Sequence, residues 1–196
     1  MQRLAIFASG SGSNAEQITQ HFAHVPDVEV TLILTNNPQA GVIERSRRGF
    51  GCGQPVPVLV FDRATFRQTS RIVELLQRQQ IDLIVLAGFM WLVPAALVRA
   101  FAGRIVNIHP ALLPKFGGQG MYGQRVHEAV VAAGERESGI TIHYVNEHYD
   151  EGKAIFQATC PVLPTDTPDD VAAKVHQLEY AHYPRIIGEV LNTLSA

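Results

Sequence analysis

The chain is poor in the features that place a protein in a class by composition alone. Two of its 196 residues are cysteines, Cys52 and Cys160. They lie far apart and outside CxxC spacing, which supports neither a disulfide framework nor a zinc site and fits a reduced, cytoplasmic setting. Neither sign of charge dominates: 16 Lys and Arg stand against 18 Asp and Glu, a formal net charge of -2. A nucleic-acid or anionic-membrane partner needs a basic footprint, so neither is expected, and small molecules are the expected partners. No apolar run approaches the roughly 18 residues of a membrane-spanning helix, and the opening MQRLAIFAS is too short for a secretory hydrophobic region with its cleavage site. Internal repeats, low-complexity tracts and linkers are also missing. With 46% hydrophobic residues, the chain has the material for a good core, expected as a single domain over residues 1–196.

What is present is an alternation of strand-like and helix-like segments. Residues 4–8 form a β-type run that ends in Ser9-Gly10-Ser11-Gly12-Ser13-Asn14, and Ala15, Ile18 and Phe22 follow at helical spacing. Residues 28–35 and 56–61 read as further strands, with a weak helix around 42–48 between them and an amphipathic helix over 65–79 after them. The run IDLIVL at 81–86 is almost wholly apolar, the pattern of a central parallel strand covered on both faces. A short strand around Ile105, Val106 and Ile108 follows, and then a helix over 124–133. Residues 139–145 alternate as a strand and are joined by a loop of hairpin length to a last strand at 154–162, so part of the sheet is expected to be antiparallel. Thr167 is placed to cap a final helix that has Pro168 at its first position and Asp169 and Asp170 in its first turn. Pro184 removes one backbone bond from that helix and is expected to bend it or end a turn. The fold class is α/β: a mostly parallel central sheet with an antiparallel C-terminal portion and helices on both faces.

The polar residues that end these strands carry the chemistry. Asn107 and His109 are two apart on one strand and therefore point to the same side, where an amide and an imidazole address one small polar group. Gly10, Ser11, Gly12, Ser13 and Asn14 form a turn that leaves backbone N–H groups free for a phosphate at a helix N-terminus; the alternative is a tight connection with Ser13 or Asn14 as an ordinary cap. Alanine at position 15 replaces the third glycine of a dinucleotide fingerprint, and no Walker lysine follows. Phe89, Met90, Trp91, Leu92 and Val93 extend past a strand end and either wall a pocket for a flat ring or pack as core. Asn36 and Asn37 fit a ligand contact or ordinary turn chemistry equally well, and Arg45, Arg47 and Arg48 read as a solvated helix face. The segment FGGQGMYG at 116–123, with four glycines in eight residues, needs unusual backbone angles or close approach to a ligand. Asp150 and His143 complete the polar set, His143 as a packed or supporting histidine. An imidazole, a carboxylate and an amide without a Ser or Cys nucleophile in a recognisable elbow suit direct acyl transfer, with Asp150 holding His109 protonated by charge pairing.

Taken together, FASGSGSN at 7–14, LAGFM at 86–90, GRIVNIHPALLPK at 103–115, GITIHYV at 139–145, YDEGKAIFQ at 149–157 and QLEYAHYP at 177–184 give a specific pattern. The chain resembles the phosphoribosylglycinamide formyltransferases, or glycinamide ribonucleotide transformylases, of purine biosynthesis. The resemblance implies a Rossmann-like formyltransferase fold, with the N-terminal half binding the ribonucleotide and the C-terminal half binding folate and carrying the chemistry. It implies Asn107, His109 and Asp150 as the catalytic trio, Gly10 to Asn14 around the ribonucleotide phosphate, and Glu179 on the ribonucleotide. Phe89, Met90, Trp91, Leu92 and Val93, with Asn107 and the loop before Asp150, would hold the folate. The implied substrates are glycinamide ribonucleotide and 10-formyltetrahydrofolate as co-substrate, with no metal, in a cytoplasmic monomer or homodimer. The chain departs from the family's common pattern at Trp91, where many relatives have Arg, and in FGGQGMYG, which replaces a PGLHTH-like loop. Other formyl-folate reactions, a non-catalytic phosphometabolite-binding module and a nicotinamide dehydrogenase remain as alternatives at this level.

Overall fold

The computed structural model describes residues 1–53 and 55–194; positions 195 and 196 of the expected 1–196 domain lie outside the described residues. Seven strands form one sheet in the order β3-β2-β1-β4-β5-β6-β7. The first five are β1 (Gln2–Phe7), β2 (Val28–Thr35), β3 (Val58–Val60), β4 (Leu83–Leu86) and β5 (Ile105–His109), all parallel to one another. Then β6 (Glu137–Tyr144) runs antiparallel to β5, and β7 (Ala154–Pro161) antiparallel to β6. The apolar runs explain this arrangement. In β1, Leu4 and Ile6 face one side of the sheet while Ala5 and Phe7 face the other, and all four are fully buried. Only a strand with layers on both faces tolerates such a sequence.

One layer is built from α1 (Ser13–Phe22), α2 (Gly41–Arg47), α6 (Gln124–Ala132) and α7 (Pro168–Leu194), whose Ile18, Phe22, Val42, Val130, Ile187 and Leu191 join the Leu4–Ile6 side. The other contains α3 (Arg63–Gln68), α4 (Arg71–Arg78) and α5 (Ala95–Ala100), whose Phe66, Leu76 and Leu97 meet Phe7 and Leu86. The chain leaves β1 toward β2 on one side and later returns to place β4 on the other. The crevice between the carboxyl ends of β1 and β4 is therefore the switch point of the sheet, where ligands settle in open α/β folds.

One expectation needs correction. The single helix over 65–79 is two helices, because Thr69 is extended at φ -131 and ψ 160. Its hydroxyl donates to the Thr65 carbonyl and accepts the Arg71 N–H, while Ser70 donates to Glu74, and these local bonds compete with the helical ladder. In β6, Ser138 to His143 are all buried. Thr141 is fully buried because its hydroxyl donates to the Ala111 carbonyl and accepts from the Leu113 N–H and from Gln157. Past Pro184, α7 runs on to Leu194, 27 residues in all. Tyr183, Pro184, Ile186 and Ile187 are buried, so packing outweighs the one backbone bond that proline removes. The start of α7 is as expected: Thr167 Oγ1 accepts the Asp170 N–H, and the Asp170 carboxylate accepts the Thr167 N–H in return.

Candidate active site

A cavity of about 550 Å³ opens at the switch point, within the usual size of small-molecule sites. The turn after β1 forms one part of its wall. Gly12 occupies the N-cap position of α1 at φ 80 and ψ 19, and no side chain caps the helix. The sequence alternative, a cap from Ser13 or Asn14, is thus not realised, and an uncapped helix N-terminus faces the cavity as an anion site would. The two glycines serve different ends. A Cβ on Gly10 would meet nothing within 4 Å, whereas one on Gly12 would lie 2.6 Å from Val42 Cβ. Gly12 therefore answers to the close approach of α2 as well as to its left-handed backbone. Arg45, read from sequence as part of a solvated cluster, braces the turn: its Nε donates to the Ser11 carbonyl at 2.9 Å and its guanidinium pairs with Glu16. Arg47 and Arg48 pair with Glu44 in solvent. Asn37 performs turn chemistry, accepting the Gln39 N–H, and neither it nor Asn36 lines the cavity.

Asn14 turns its amide away from the helix end and donates to Glu179 Oε2 at 2.9 Å. Glu179 is only 6% exposed, and burial raises its pKa against the smaller opposing effects of Asn14 and His176. Four residues on, the buried Tyr183 hydroxyl lies 2.9 Å from the Leu86 carbonyl and 3.3 Å from that of Val106, tying together the ends of β4 and β5. Two further histidines, His127 on α6 and His176 on α7, also line the cavity. His127 is buried with no hydrogen-bond partner at Nδ1, and burial lowers its pKa to about 4.

Asn107, His109 and Asp150 come together on the cavity wall. Strand β5 delivers the first two. Asp150 arrives from the β6–β7 connection in a left-handed backbone conformation, φ 56. Its Oδ2 accepts the Gly118 N–H at 2.9 Å and lies 3.5 Å from His109 Nδ1. Its Oδ1 lies 3.7 Å from His143 Nε2, which in turn is 3.1 Å from Asn107 Nδ2. The other His109 nitrogen, Nε2, donates to the Phe116 carbonyl at 2.7 Å. The Asp150 carboxyl is held below its ordinary value: burial pushes it up, but the nearby imidazoles of His143 and His109 and the Gly118 N–H outweigh that push. His109 shifts down, because burial exceeds the upward pull of Asp150 and Phe116. The downward shift runs against the expected pairing of a protonated His109 with Asp150, because burial is the larger of the opposed influences on the ring.

The run after β4 divides. Phe89 and Met90 line the cavity, whereas Trp91, Leu92 and Val93 do not. Trp91 packs edge-on to Phe61 with ring centroids 6.1 Å apart and meets Phe66 at 6.0 Å, and Val93 is buried, so these two belong to the apolar layer rather than to this wall. Tyr149, just before Asp150, accepts the Leu92 N–H with its hydroxyl and does line the cavity. The glycine-rich segment 116–123 forms another part of the wall, with positive φ at Phe116, Gly118, Gly120 and Gly123. Among the described residues, no group of three or more His, Cys, Asp or Glu converges as metal ligands.

An uncapped helix N-terminus at the switch point of a doubly wound sheet, facing a polar trio brought together by β5 and the β6–β7 connection, defines a Rossmann-like α/β protein with a ligand-sized site. The chain belongs to the formyl transferase family, whose model matches residues 2–187. It is 40% identical over 195 residues to the chloroplastic phosphoribosylglycinamide formyltransferase of Arabidopsis thaliana, covering 96% of this chain and 65% of that one. It is 36% identical over 198 residues to the phosphoribosylglycinamide formyltransferase of Bacillus subtilis, covering 97% of this chain and 95% of that one. The chain thus spans just under two thirds of the plant relative and nearly all of the bacterial one. A crystal structure of phosphoribosylglycinamide formyltransferase from Bacillus halodurans superposes with a TM-score of 0.84 at 38% identity, covering 97% of this chain and 95% of that one.

Proposed function

We propose that this protein transfers the formyl group of 10-formyltetrahydrofolate to the amine of glycinamide ribonucleotide. The observation that carries the reading is the convergence of Asn107, His109 and Asp150 on a cavity that also receives an uncapped helix N-terminus. That geometry supports holding a phosphate at Gly10 to Asn14 while an acyl carbon lies beside the trio. Glu179, paired with Asn14, offers a carboxylate oxygen to the ribonucleotide. Phe89 and Met90, the latter 45% exposed, offer an apolar surface to the folate. The names of the relatives, with the near-complete overlap with the Bacillus subtilis protein, point to the same substrates.

The reaction forms a C–N bond from the glycinamide nitrogen to the formyl carbon, breaks the bond from that carbon to N10 of the folate, and moves one proton from the attacking nitrogen to N10. Asn107 donates a hydrogen bond to the oxyanion that develops in between. The neutral His109, next to ionised Asp150, takes the proton from the amine; the imidazolium pairs with Asp150 and then protonates the leaving nitrogen. Removing an oxyanion donor such as Asn107 costs roughly 10²–10³ in rate. Both cysteines are free thiols, which is consistent with a reducing, cytoplasmic setting. The test is purified protein with both substrates, monitoring deformylated folate with each substrate omitted in turn. Turnover that requires both supports the reading. Hydrolysis of the formyl folate without ribonucleotide, or ribonucleotide binding without any formyl transfer, refutes it.

A further inference from the structure

We propose that His143 is a positioning residue: an imidazole locked in one tautomer that fixes which atoms Asn107 and Asp150 present to the cavity. The register places it directly opposite Asn107 across the β5–β6 pair. Its Nδ1 lies 2.9 Å from the Tyr144 carbonyl. A carbonyl oxygen only accepts, so Nδ1 carries a proton, and in the singly protonated ring Nε2 presents a lone pair. The donor that this lone pair meets is Asn107 Nδ2 at 3.1 Å. One amide N–H is thereby spent on His143, and the amide plane is set so that the nitrogen cannot exchange places with Oδ1. The same Nε2 stands 3.7 Å from Asp150 Oδ1, which leaves Oδ2 for Gly118 and His109.

Two backbone features aim the ring. The β6–β7 ladder slips at this point: Ile142 pairs with Phe156 and His143 with Ala154, so Ile155 has no opposite residue. Such bulges bend a strand and redirect a side chain. At Gly152 a Cβ would fall 1.6 Å from the Tyr144 oxygen and 3.4 Å from His143 Nδ1. Only glycine at 152 leaves that carbonyl where His143 needs it. His143 is 2% exposed and touches no space where a reacting atom would sit, so its action runs through Asn107 and Asp150.

The activity arm of the test rests on the formyl-transfer reading; the spectroscopic arm does not. Nitrogen-15 NMR of the imidazoles in the ligand-free protein is expected to show His143 as the Nδ1–H tautomer, and the Nε2–H tautomer would overturn the proposal. His143→Asn keeps a donor for Tyr144 but loses the partner of Asn107. It is expected to lower kcat roughly 10- to 100-fold, the usual range for a group that orients a functional ligand, with KM for both substrates within about twofold. His143→Gln places an acceptor near the position of Nε2 and is expected to recover most of that loss. In an Asn107→Ala background, His143→Asn should cost less than about threefold, because its route to the reaction is already gone. Additive losses in that cycle, or a Gln variant as impaired as the Asn variant, would refute the positioning role. If His143→Asn fails to fold by thermal melting, the tautomer and the same cycle run with His143→Gln decide. A wild-type protein inactive in formyl transfer would remove the functional reading and leave the tautomer result to judge the lock.

Discussion

Replacing Glu179 by Gln should make the protein more stable and worse at binding its ribonucleotide. Glu179 is buried, and its hydrogen bond to a side chain comes from Asn14 Nδ2 at 2.9 Å. Burial raises its pKa, the opposing effects of Asn14 and His176 being smaller. A carboxyl that holds its proton more tightly in the native state than in the unfolded chain costs stability as pH rises. The unfolded state gives up its proton first, near pH 4.5, and the penalty grows until the folded pKa is passed. Each unit of upward displacement costs about 1.4 kcal/mol once both states are ionised. Gln removes the penalty while its Oε1 still accepts from Asn14. For a chain of this length each kcal/mol corresponds to about 2–4 °C in Tm. Melts of both proteins from pH 4 to pH 8 should nearly coincide at the acid end and diverge upward, with the variant melting higher at pH 7. Isothermal titration with the ribonucleotide should show Kd weakened by roughly 10- to 150-fold, the worth of a hydrogen bond to a charged group. A variant less stable at pH 7, or a difference independent of pH, would show that Glu179 is a stabilising ion and that the reasoning from burial is wrong.

Other perturbations probe other parts of the site. Asp150→Asn keeps an acceptor for the Gly118 N–H but not the charge beside His109, so kcat should fall about 10²–10⁴-fold with the fold intact by circular dichroism; His109→Ala should be comparably severe, and near-wild-type turnover in either would contradict the proton path. Gly12→Ala combines a left-handed backbone with a 2.6 Å contact to Val42 and should cost about 2–5 kcal/mol in urea unfolding, partly recovered by adding Val42→Ala. His127, with its pKa lowered to about 4, stays neutral in the native state while the unfolded chain protonates below about 6.5, so stability is lost as pH falls through that window, by up to about 3 kcal/mol at its lower end. His127→Leu should flatten that limb of the Tm–pH curve, and an unchanged slope would mean that another group sets it.

Much of this fold was legible in the sequence, because burial on both faces of a parallel sheet leaves runs such as LIVL that no amphipathic helix would show. The capping box at Thr167 and Asp170 was legible for the same local reason, since both partners sit within one turn. What escaped depended on partners distant in sequence or on competing short-range bonds. Thr69 and Ser70 carry helical periodicity on either side, yet their hydroxyls break the helix. The burial of Thr141 was not legible, because nothing nearby in sequence reveals that Ala111 and Leu113 wait to satisfy it. Arg45 read as solvent-facing until α2 packed against the turn at Ser11.

Within the site, Asn107 and His109 were readable from strand geometry alone, two residues apart on β5. The protonation state was not, since it is a balance struck in three dimensions: Asp150 and the Phe116 carbonyl pull the His109 pKa up, and the enclosing wall pushes it down further. The direction of that balance bears on the chemistry proposed for the trio. A resting imidazolium would be an acid waiting for a leaving group, and it would repel the ammonium form of an attacking amine. A neutral imidazole beside an ionised carboxylate is a base, able to accept the proton that the amine must lose before the C–N bond is secure. Once charged, the same ring gains the full attraction of Asp150 at 3.5 Å, so the acid needed for departure is produced by the first half of the reaction. The pH–rate profile separates the two cases. A base of lowered pKa gives kcat/KM that stays level as pH falls past 6.5 before it drops, whereas a histidine held protonated at rest gives a rate that declines as pH rises above neutrality.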